Sequence, residues 1–320
     1  MKKTTVLRQR LTKNKHFNLL YCRYSYAVSK IRYKKYTHEE SAQKVFYRSN
    51  GKTLNLQSPQ TFNEKLWYLK IHYKNPLMTK CSDKYLAREY VKECGLSHIL
   101  NDIYGVFEDA RIVDFDKLPD EVFFKCNHNS GANMIYRKSE GFDKRFFRKK
   151  FNCLLRQNYF YSTREWNYKN IKPLIIAEKL LNLDGLLDYR FLCFNGKVAL
   201  LMLDSDTCSP DGTHNIGGAR NLYDPDFNRI QAKLVRENYD DSQIKKPENF
   251  ETMKEYAEIL SSPFPCCRVD FYNIDGKIVF GEMTFFHGGC VQEFEPDEYN
   301  YKYGSMIDLS KIDFESFKGN

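Results

Sequence analysis

The residue types best able to do chemistry gather late in the chain. Arg268-Val269-Asp270 precedes an Asp275-Gly276 turn, and Glu282-Met283-Thr284 follows it. In paired strands, alternation puts Arg268, Asp270 and Tyr272 on one face, and Glu282 and Thr284 on one face. With Asp275-Gly276-Lys277 as a three-residue loop, Ile274 pairs with Ile278 and Asp270 lies opposite Glu282; a two-residue loop would place the carboxylates on opposite faces. Side by side, two carboxylates repel unless a cation stands between them. A hard divalent ion held by oxygens, typically Mg²⁺, fits, with Arg268 beside it to meet further anionic charge. Without the metal the two charges repel, so neutralising either one is expected to leave stability almost unchanged. The alternative is a solvent-facing hairpin with scattered charges.

Two further groups carry weaker signals. Lys125 ends a short apolar run and leads into His128-Asn129-Ser130-Gly131, whose backbone N–H groups suit phosphate. Neither G-x-x-x-x-G-K-[ST] nor G-x-G-x-x-G is present. Leu174-Ile175-Ile176-Ala177-Glu178-Lys179-Leu180-Leu181 reads as a strand ending in a carboxylate, with Asp184 and Asp188-Tyr189-Arg190 after it. Such a strand end offers a base edge and a ribose contact; a polar turn and ordinary surface charges explain the same residues. A D-x-D, Asp204-Ser205-Asp206, follows the apolar strand Val198–Leu203 and would let a glycosyltransferase hold a nucleotide-sugar through a metal.

These groups need elements to position them. Between residues 39 and 120 the pattern is mostly helical. One helix starts near Thr61, and another opens at Ser82-Asp83-Lys84 and stops at Gly95. Strands begin with Val122–Cys126, and residues 141–170 look helical again. Asn195-Gly196 and Asp275-Gly276 mark two hairpins. The expected class is α+β, with an antiparallel sheet in the C-terminal half.

The chain has 320 residues, 42% apolar and 28% charged, an ordinary globular composition. No run approaches the ~18 uninterrupted apolar residues of a membrane span. Met1-Lys2-Lys3 starts like a secretory leader, but no apolar core follows, so the expected location is cytoplasmic. The ten cysteines include no C-x-x-C pair, which favours buried free thiols over zinc or disulfides. The net charge of +9 concentrates in residues 1–38, which hold eleven Lys/Arg and no Asp or Glu. There Phe17, Leu20, Tyr24, Ala27, Val28 and Ile31 recur at helical spacing. This arm either lies on anionic membrane or packs its apolar stripe on the body. In the first case its removal leaves soluble chemistry in place. No nucleic-acid signature accompanies the charge.

Taken in order, the strand Lys, the short Gly/Ser loop, the strand ending in Glu-Lys and the late R-x-D and E-x-T resemble the ATP-grasp superfamily. More narrowly, the chain resembles the TupA-like ATP-grasp family, named for a teichuronopeptide-biosynthesis protein. The segments that carry the resemblance are TFNEKLWYLK (61–70), DKYLAREYVKECG (83–95), LPDEVFFKCNHNSG (118–131), REWNYKNIKP (164–173), DYRFLCFNGK (188–197), NLYDPDF (221–227) and RVDFYNIDGKIVFGEMTFFHGG (268–289).

The resemblance implies two α+β subdomains whose antiparallel sheets clasp ATP, plus the basic helical arm. The divisions expected are 1–45, 46–120, 121–182 and 183–320. Lys125 would contact the ATP phosphates, and Asn129, Ser130 and Gly131 would cover them. Glu178 and the backbone of Lys179–Leu181 would hold adenine, with Asp184 at the ribose. Asp270 and Glu282 would bind Mg²⁺, with Thr284 where the superfamily usually has Asn. Arg268 would stabilise the transferred group, and Asp188 and Arg190 would sit near phosphates or substrate. The implied activity is ATP-dependent carboxylate–amine ligation through an acylphosphate, joining an amino acid or other amine to a uronic-acid carboxylate in cell-surface polysaccharide assembly. An ATP-grasp kinase, a glycosyltransferase at Asp204–Asp206 and a scaffold without turnover are the rivals.

Overall fold

Two tight turns frame the C-terminal half of the computed structural model, which describes residues 15–131, 133–215 and 217–317. Asn195 and Gly196 have φ of 49° and 73°, and Asp275 and Gly276 have 49° and 76°. Positive φ at both central residues is the sign pattern of the type I′ turn, whose twist matches the strands it joins. The first turn links β5 (Asp188–Phe194) to β6 (Lys197–Ser205), and the second links β10 (Cys266–Ile274) to β11 (Lys277–Thr284). With β7 (Ala219–Tyr223) and β8 (Arg229–Ile230) they form an antiparallel sheet of order β11-β10-β5-β6-β7-β8.

The second turn is shorter than the three-residue loop expected, because Ile274 pairs with Lys277. Asp270 nevertheless lies opposite Glu282. The ladder slips between Phe271↔Phe280 and Asp270↔Glu282, so Gly281 is the extra residue of a β-bulge. A Cβ there would stand 3.0 Å from the Asp270 carbonyl oxygen, which is why the bulge is built on glycine. A shorter turn plus a bulge therefore gives the same pairing.

A smaller antiparallel sheet runs β1-β4-β2-β3, from β1 (Ile103–Phe107), β2 (Glu121–Cys126), β3 (Met134–Arg137) and β4 (Ile175–Lys179). Val122, Phe124 and Cys126 turn inward against Phe147 and Phe151, while Phe123 and Lys125 take the other face. A second short pair, β9 (Lys233–Leu234) and β12 (Phe294–Glu295), lies outside both sheets.

The helices are α1 (Lys15–Lys35), α2 (His38–Asn50), α3 (Phe62–His72), α4 (Pro76–Ser82), α5 (Ala87–Glu93), α6 (Lys144–Leu154), α7 (Phe160–Thr163), α8 (Phe250–Ser261) and α9 (Glu298–Ser305). Residues from α3, α4 and α5 share one core with the large sheet, α8 and α9. Helices of the span 46–120 thus pack with the C-terminal sheet, and its end, β1, edges the small sheet.

Two local expectations change. Ser82-Asp83-Lys84 ends one helix instead of opening another. Asp83 is buried, and its Oδ1 accepts from the N–H groups of Tyr85 and Leu86, so α5 begins only at Ala87. In α1 the apolar stripe does not pack on the body: Leu20, Tyr24 and Ile31 are 62%, 68% and 66% exposed. The helix docks by the opposite face, where Tyr33 meets Phe160 and Tyr161 edge-on and the Tyr26 hydroxyl accepts from Asn158 N–H. Arg164 Nη2 donates to the carbonyls of Arg32, Tyr33 and Tyr36, which satisfies the C-terminal end of α1. No helix among the described residues is long and apolar enough to cross a membrane.

Candidate active site

A cavity of about 850 Å³ opens between the two sheets. From the small sheet, Lys125 Nζ meets Glu178 Oε1 at 2.7 Å, a mostly buried pair on neighbouring strands. Ser130, Gly131, Leu180 and Leu181 line the same side.

From the large sheet comes a network of arginines and carboxylates. Arg268 grips Asp270 with two hydrogen bonds, of 2.7 and 2.6 Å, and reaches Glu282 Oε1 at 3.1 Å. Its Nη1 also donates to His287 Nδ1 at 2.8 Å. Burial and then Arg268 hold the His287 ring well below its ordinary range, so it is neutral and able to accept. Arg190 donates to Asp188 at 2.6 Å and stands 3.8 Å from Asp270. Burial raises the Asp270 carboxyl, yet both its oxygens receive guanidinium N–H groups, so the carboxylate is the form this geometry holds. At Glu282 burial works against the charge, but Lys84, Arg268, Arg190 and Lys125 outweigh it and hold the group down at about 2.

Asp270, Glu282 and the Thr284 hydroxyl, 3.3 Å from Glu282 Oε1, make an all-oxygen donor set that fits Mg²⁺. Arg268 is the cation that bridges the two carboxylates in this structure. Among the described residues no cluster of three or more His, Cys, Asp or Glu suited to a metal occurs, so further ligands would come from a bound phosphate or water.

Three cations escaped sequence reasoning. Lys84 donates to the Asn129 carbonyl at 2.8 Å and lies 3.5 Å from Glu282, tying the loop after β2 to the β10–β11 hairpin. It sits in the turn that was expected to be helix, although the segment 83–95 already carried the family resemblance. Arg220 and Arg236 lie far from the R-x-D in sequence; the β6–β7 register sets Arg220 opposite Asp204, and Arg236 reaches the same carboxylate from beyond β9. Arg190 Nε, Arg220 Nη1 and Arg236 Nη1 are buried without a hydrogen-bond acceptor. Arg190 Nε and Arg236 Nη1 do stand 3.3 and 3.4 Å from Asp204, but without hydrogen-bond geometry. Buried donors left open in this way suit an anionic substrate.

Several expected contacts are placed elsewhere. Asp184 is exposed in a turn, its N–H bonded to Asn182 Oδ1, and does not line the cavity. The Lys179 N–H bonds Asp102 O, while its carbonyl accepts one bond, from Asn101, and keeps a second lone pair open. Glu178 pairs with Lys125 and lines the cavity. Asn129 contributes its carbonyl to Lys84, while Ser130 and Gly131 reach the cavity. The D-x-D fails as a metal site: Asp204 is fully buried and held by Arg220 through bonds of 2.6 and 2.7 Å.

A family model described as TupA-like ATPgrasp matches residues 64–308, most of the chain. The chain belongs to the TupA-like ATP-grasp family. Its fold is therefore an α+β ATP-grasp fold, and ATP with Mg²⁺ are the cofactors of that superfamily. The match holds Lys125, Glu178, Asp270 and Glu282 and begins beyond α1 and α2.

Among solved structures, the D-alanine–D-alanine ligase of Helicobacter pylori is 13% identical at a TM-score of 0.39, covering 72% of this chain and 60% of its own. That of Bacillus anthracis, complexed with ATP, is 17% identical at 0.36, over 70% and 61%. The biotin carboxylase domain of Hydrogenobacter thermophilus 2-oxoglutarate carboxylase, with magnesium ADP, is 15% identical at 0.36, over 64% and 40%. The chain spans about 60% of the two D-alanine–D-alanine ligases, and at these scores the likeness carries no argument about the site. No curated protein matches the chain.

Proposed function

We propose that this protein is an ATP-dependent ligase that joins a carboxylate to an amine through an acylphosphate. The observation that carries the reading is the meeting, across one cavity, of the Lys125–Glu178 pair and the Arg268–Asp270–Glu282 cluster. Lys125 and Lys84 hold the phosphate chain of ATP, with Ser130 and Gly131 over it, and the adenine lies against Leu180 and Leu181. Asp270, Glu282 and Thr284 hold Mg²⁺, which neutralises phosphate charge when bound. Arg268 and Arg190 orient the substrate carboxylate and stabilise charge on the transferred phosphoryl group. A carboxylate oxygen attacks the γ-phosphorus and ADP leaves. The amine then attacks the acyl carbon, the C–N bond forms and inorganic phosphate departs.

The family resemblance suggests a uronic acid as the carboxylate, in cell-surface polysaccharide assembly at the cytoplasmic side of the membrane. Arg220 and Arg236, with open buried donors, suit such an acid. The exposed Leu20, Tyr24 and Ile31 favour a peripheral membrane contact. Arg23, Lys30 and Lys34 flank that stripe on one side and Arg32 and Lys35 on the other, and α1 carries no acidic residue. The test is ADP release screened over uronic acids, each with and without an amino acid. Carboxylate-dependent ADP release supports the ligase; release without any carboxylate, or stabilisation by a UDP-sugar with Mn²⁺ in place of Mg·ATP, contradicts it.

A further inference from the structure

Trp67, Lys70, Tyr159, Glu165, Tyr168 and Phe286 line the same cavity and form a chamber wall to which the ligase reading gives no part in binding ATP. Lys70, near the end of α3, is only 3% exposed. Its ammonium lies 4.3 Å from the Trp67 ring centre and 5.7 Å from that of Phe286. It makes no hydrogen bond or ion pair with any described residue, while it lines the cavity. A buried ammonium without a counter-ion is costly, and the two aromatic faces offset only part of that.

Glu165 is the matching acid. It is 7% exposed, lines the same cavity, and senses the charges of both Lys70 and Glu282. Burial raises its carboxyl above the ordinary range, against the opposing pull of Lys70, so this carboxylate is a stronger base than a surface one. Tyr159 and Tyr168 complete the wall. Burial and then Glu165 keep both phenols protonated. A buried cation and a buried anion thus face one space without closing on each other.

We infer that this chamber, lined by Trp67, Lys70, Tyr159, Glu165, Tyr168 and Phe286, is the amine subsite and that its occupant is a free amino acid. The inference rests on the ligase reading above and specifies its second substrate. Lys70 receives the α-carboxylate and Glu165 the α-ammonium, so the zwitterion bridges the two charges that the protein leaves apart. Glu165 takes one proton from the ammonium. The nitrogen lone pair then attacks the acyl carbon beside Arg268, the C–N bond forms, and the C–O bond to phosphate breaks with its electron pair. The leaving phosphate carries the second nitrogen proton away, so protons and electrons balance.

The test needs no variant at first. ADP release and amide formation are measured with L-alanine, L-serine, L-lysine, L-glutamate and L-tyrosine. Each is set beside its decarboxylated amine: ethylamine, ethanolamine, cadaverine, γ-aminobutyrate and tyramine. At least one amino acid should exceed its amine by about tenfold or more in kcat/KM, the scale of one charge-assisted contact. In Lys70→Met that advantage should vanish through KM for the amino acid, with KM for ATP unchanged, and Lys70→Arg should retain it. Glu165→Gln should lower kcat for amide formation about 100-fold, a general-base effect. Saturation-transfer NMR of the same amino acid should lose its signal in Lys70→Met. If ADP release depends on a carboxylate but no amino acid exceeds its amine, or Lys70→Met keeps the preference, the subsite is wrong and the ligase stands. If no carboxylate elicits ADP, the ligase reading itself fails.

Discussion

At the residue scale, Asp270 and Glu282 face one another but live in different surroundings. Asp270 is buried between Arg268 and Arg190, whereas the Glu282 side chain is 37% exposed. The sequence suggests two carboxylates whose repulsion is relieved by removing either. The arginines overturn that for Asp270, because neutralising it strips a bidentate partner from a buried guanidinium. Asp270→Asn should therefore cost about 3 kcal/mol of stability, as expected when one member of a buried pair is removed. Glu282→Gln should lower the melting temperature as well, since Lys84 and Arg268 lose the carboxylate that they hold down at about 2. Both should reduce turnover about 100-fold or more, as when a main electrostatic stabiliser is lost. Melting curves beside ADP assays check this, and wild-type melting temperatures in both variants would contradict the network. Lys125, Glu178 and the R-x-D were legible because they sit on strands whose alternation fixes their face. Lys84, Arg220, Lys70 and Glu165 were not, since each enters through a turn or a tertiary contact with no local periodicity.

At the element scale, the hairpin depends on one bulge. Gly281→Ala would press a methyl group on the Asp270 carbonyl, 3.0 Å away, and move that carboxylate relative to Glu282. A shift of about 1 Å at a reacting site can remove 10²-fold in rate, so turnover should fall at least tenfold while the fold persists. Wild-type turnover with wild-type Mg²⁺ dependence would mean that the bulge does not set the site. Turn chemistry gave both hairpins away, through Asn195-Gly196 and Asp275-Gly276, but a bulge leaves only an isolated glycine in a strand, which names no register. The contact between α2 and α7 has its own signature. Burial, then Arg164, Lys74, Lys70 and Lys169, lower the His38 imidazole to about 4. The unfolded chain takes that proton near the ordinary 6.5, and the folded chain does not until about 4. Stability present above pH 6.5 should thus be lost as pH falls toward 4. His38→Asn should flatten that part of the melting-temperature curve, and identical slopes in both proteins would contradict the assignment.

At the scale of the whole molecule, the chain is a pair of sheets that share one cavity, with a basic helix laid against its wall. The arm was readable as charge and period, but not as to which face would dock. The amphipathic stripe looks outward because Tyr26 and Tyr33 on the other face find aromatic partners in residues 158–161. Deleting residues 1–38 should consequently weaken turnover as well as membrane binding, since Ser29, Arg32 and Tyr33 line the cavity and Arg164 would lose its carbonyl partners. The triple change Leu20→Ser, Tyr24→Ser and Ile31→Ser should separate the two effects. Sedimentation with phosphatidylglycerol vesicles should fall several-fold, and fall further with salt, while soluble turnover stays near wild type. Unchanged sedimentation would leave the stripe without a membrane role. An acylphosphate formed between the sheets leaves its mark in isotope transfer. A carboxylate that elicits ADP release is labelled with ¹⁸O in its carboxyl group, and the phosphate freed on amide formation is weighed. One ¹⁸O atom should pass from the carboxylate into that phosphate, and unlabelled phosphate accompanying amide and ADP would contradict an acylphosphate.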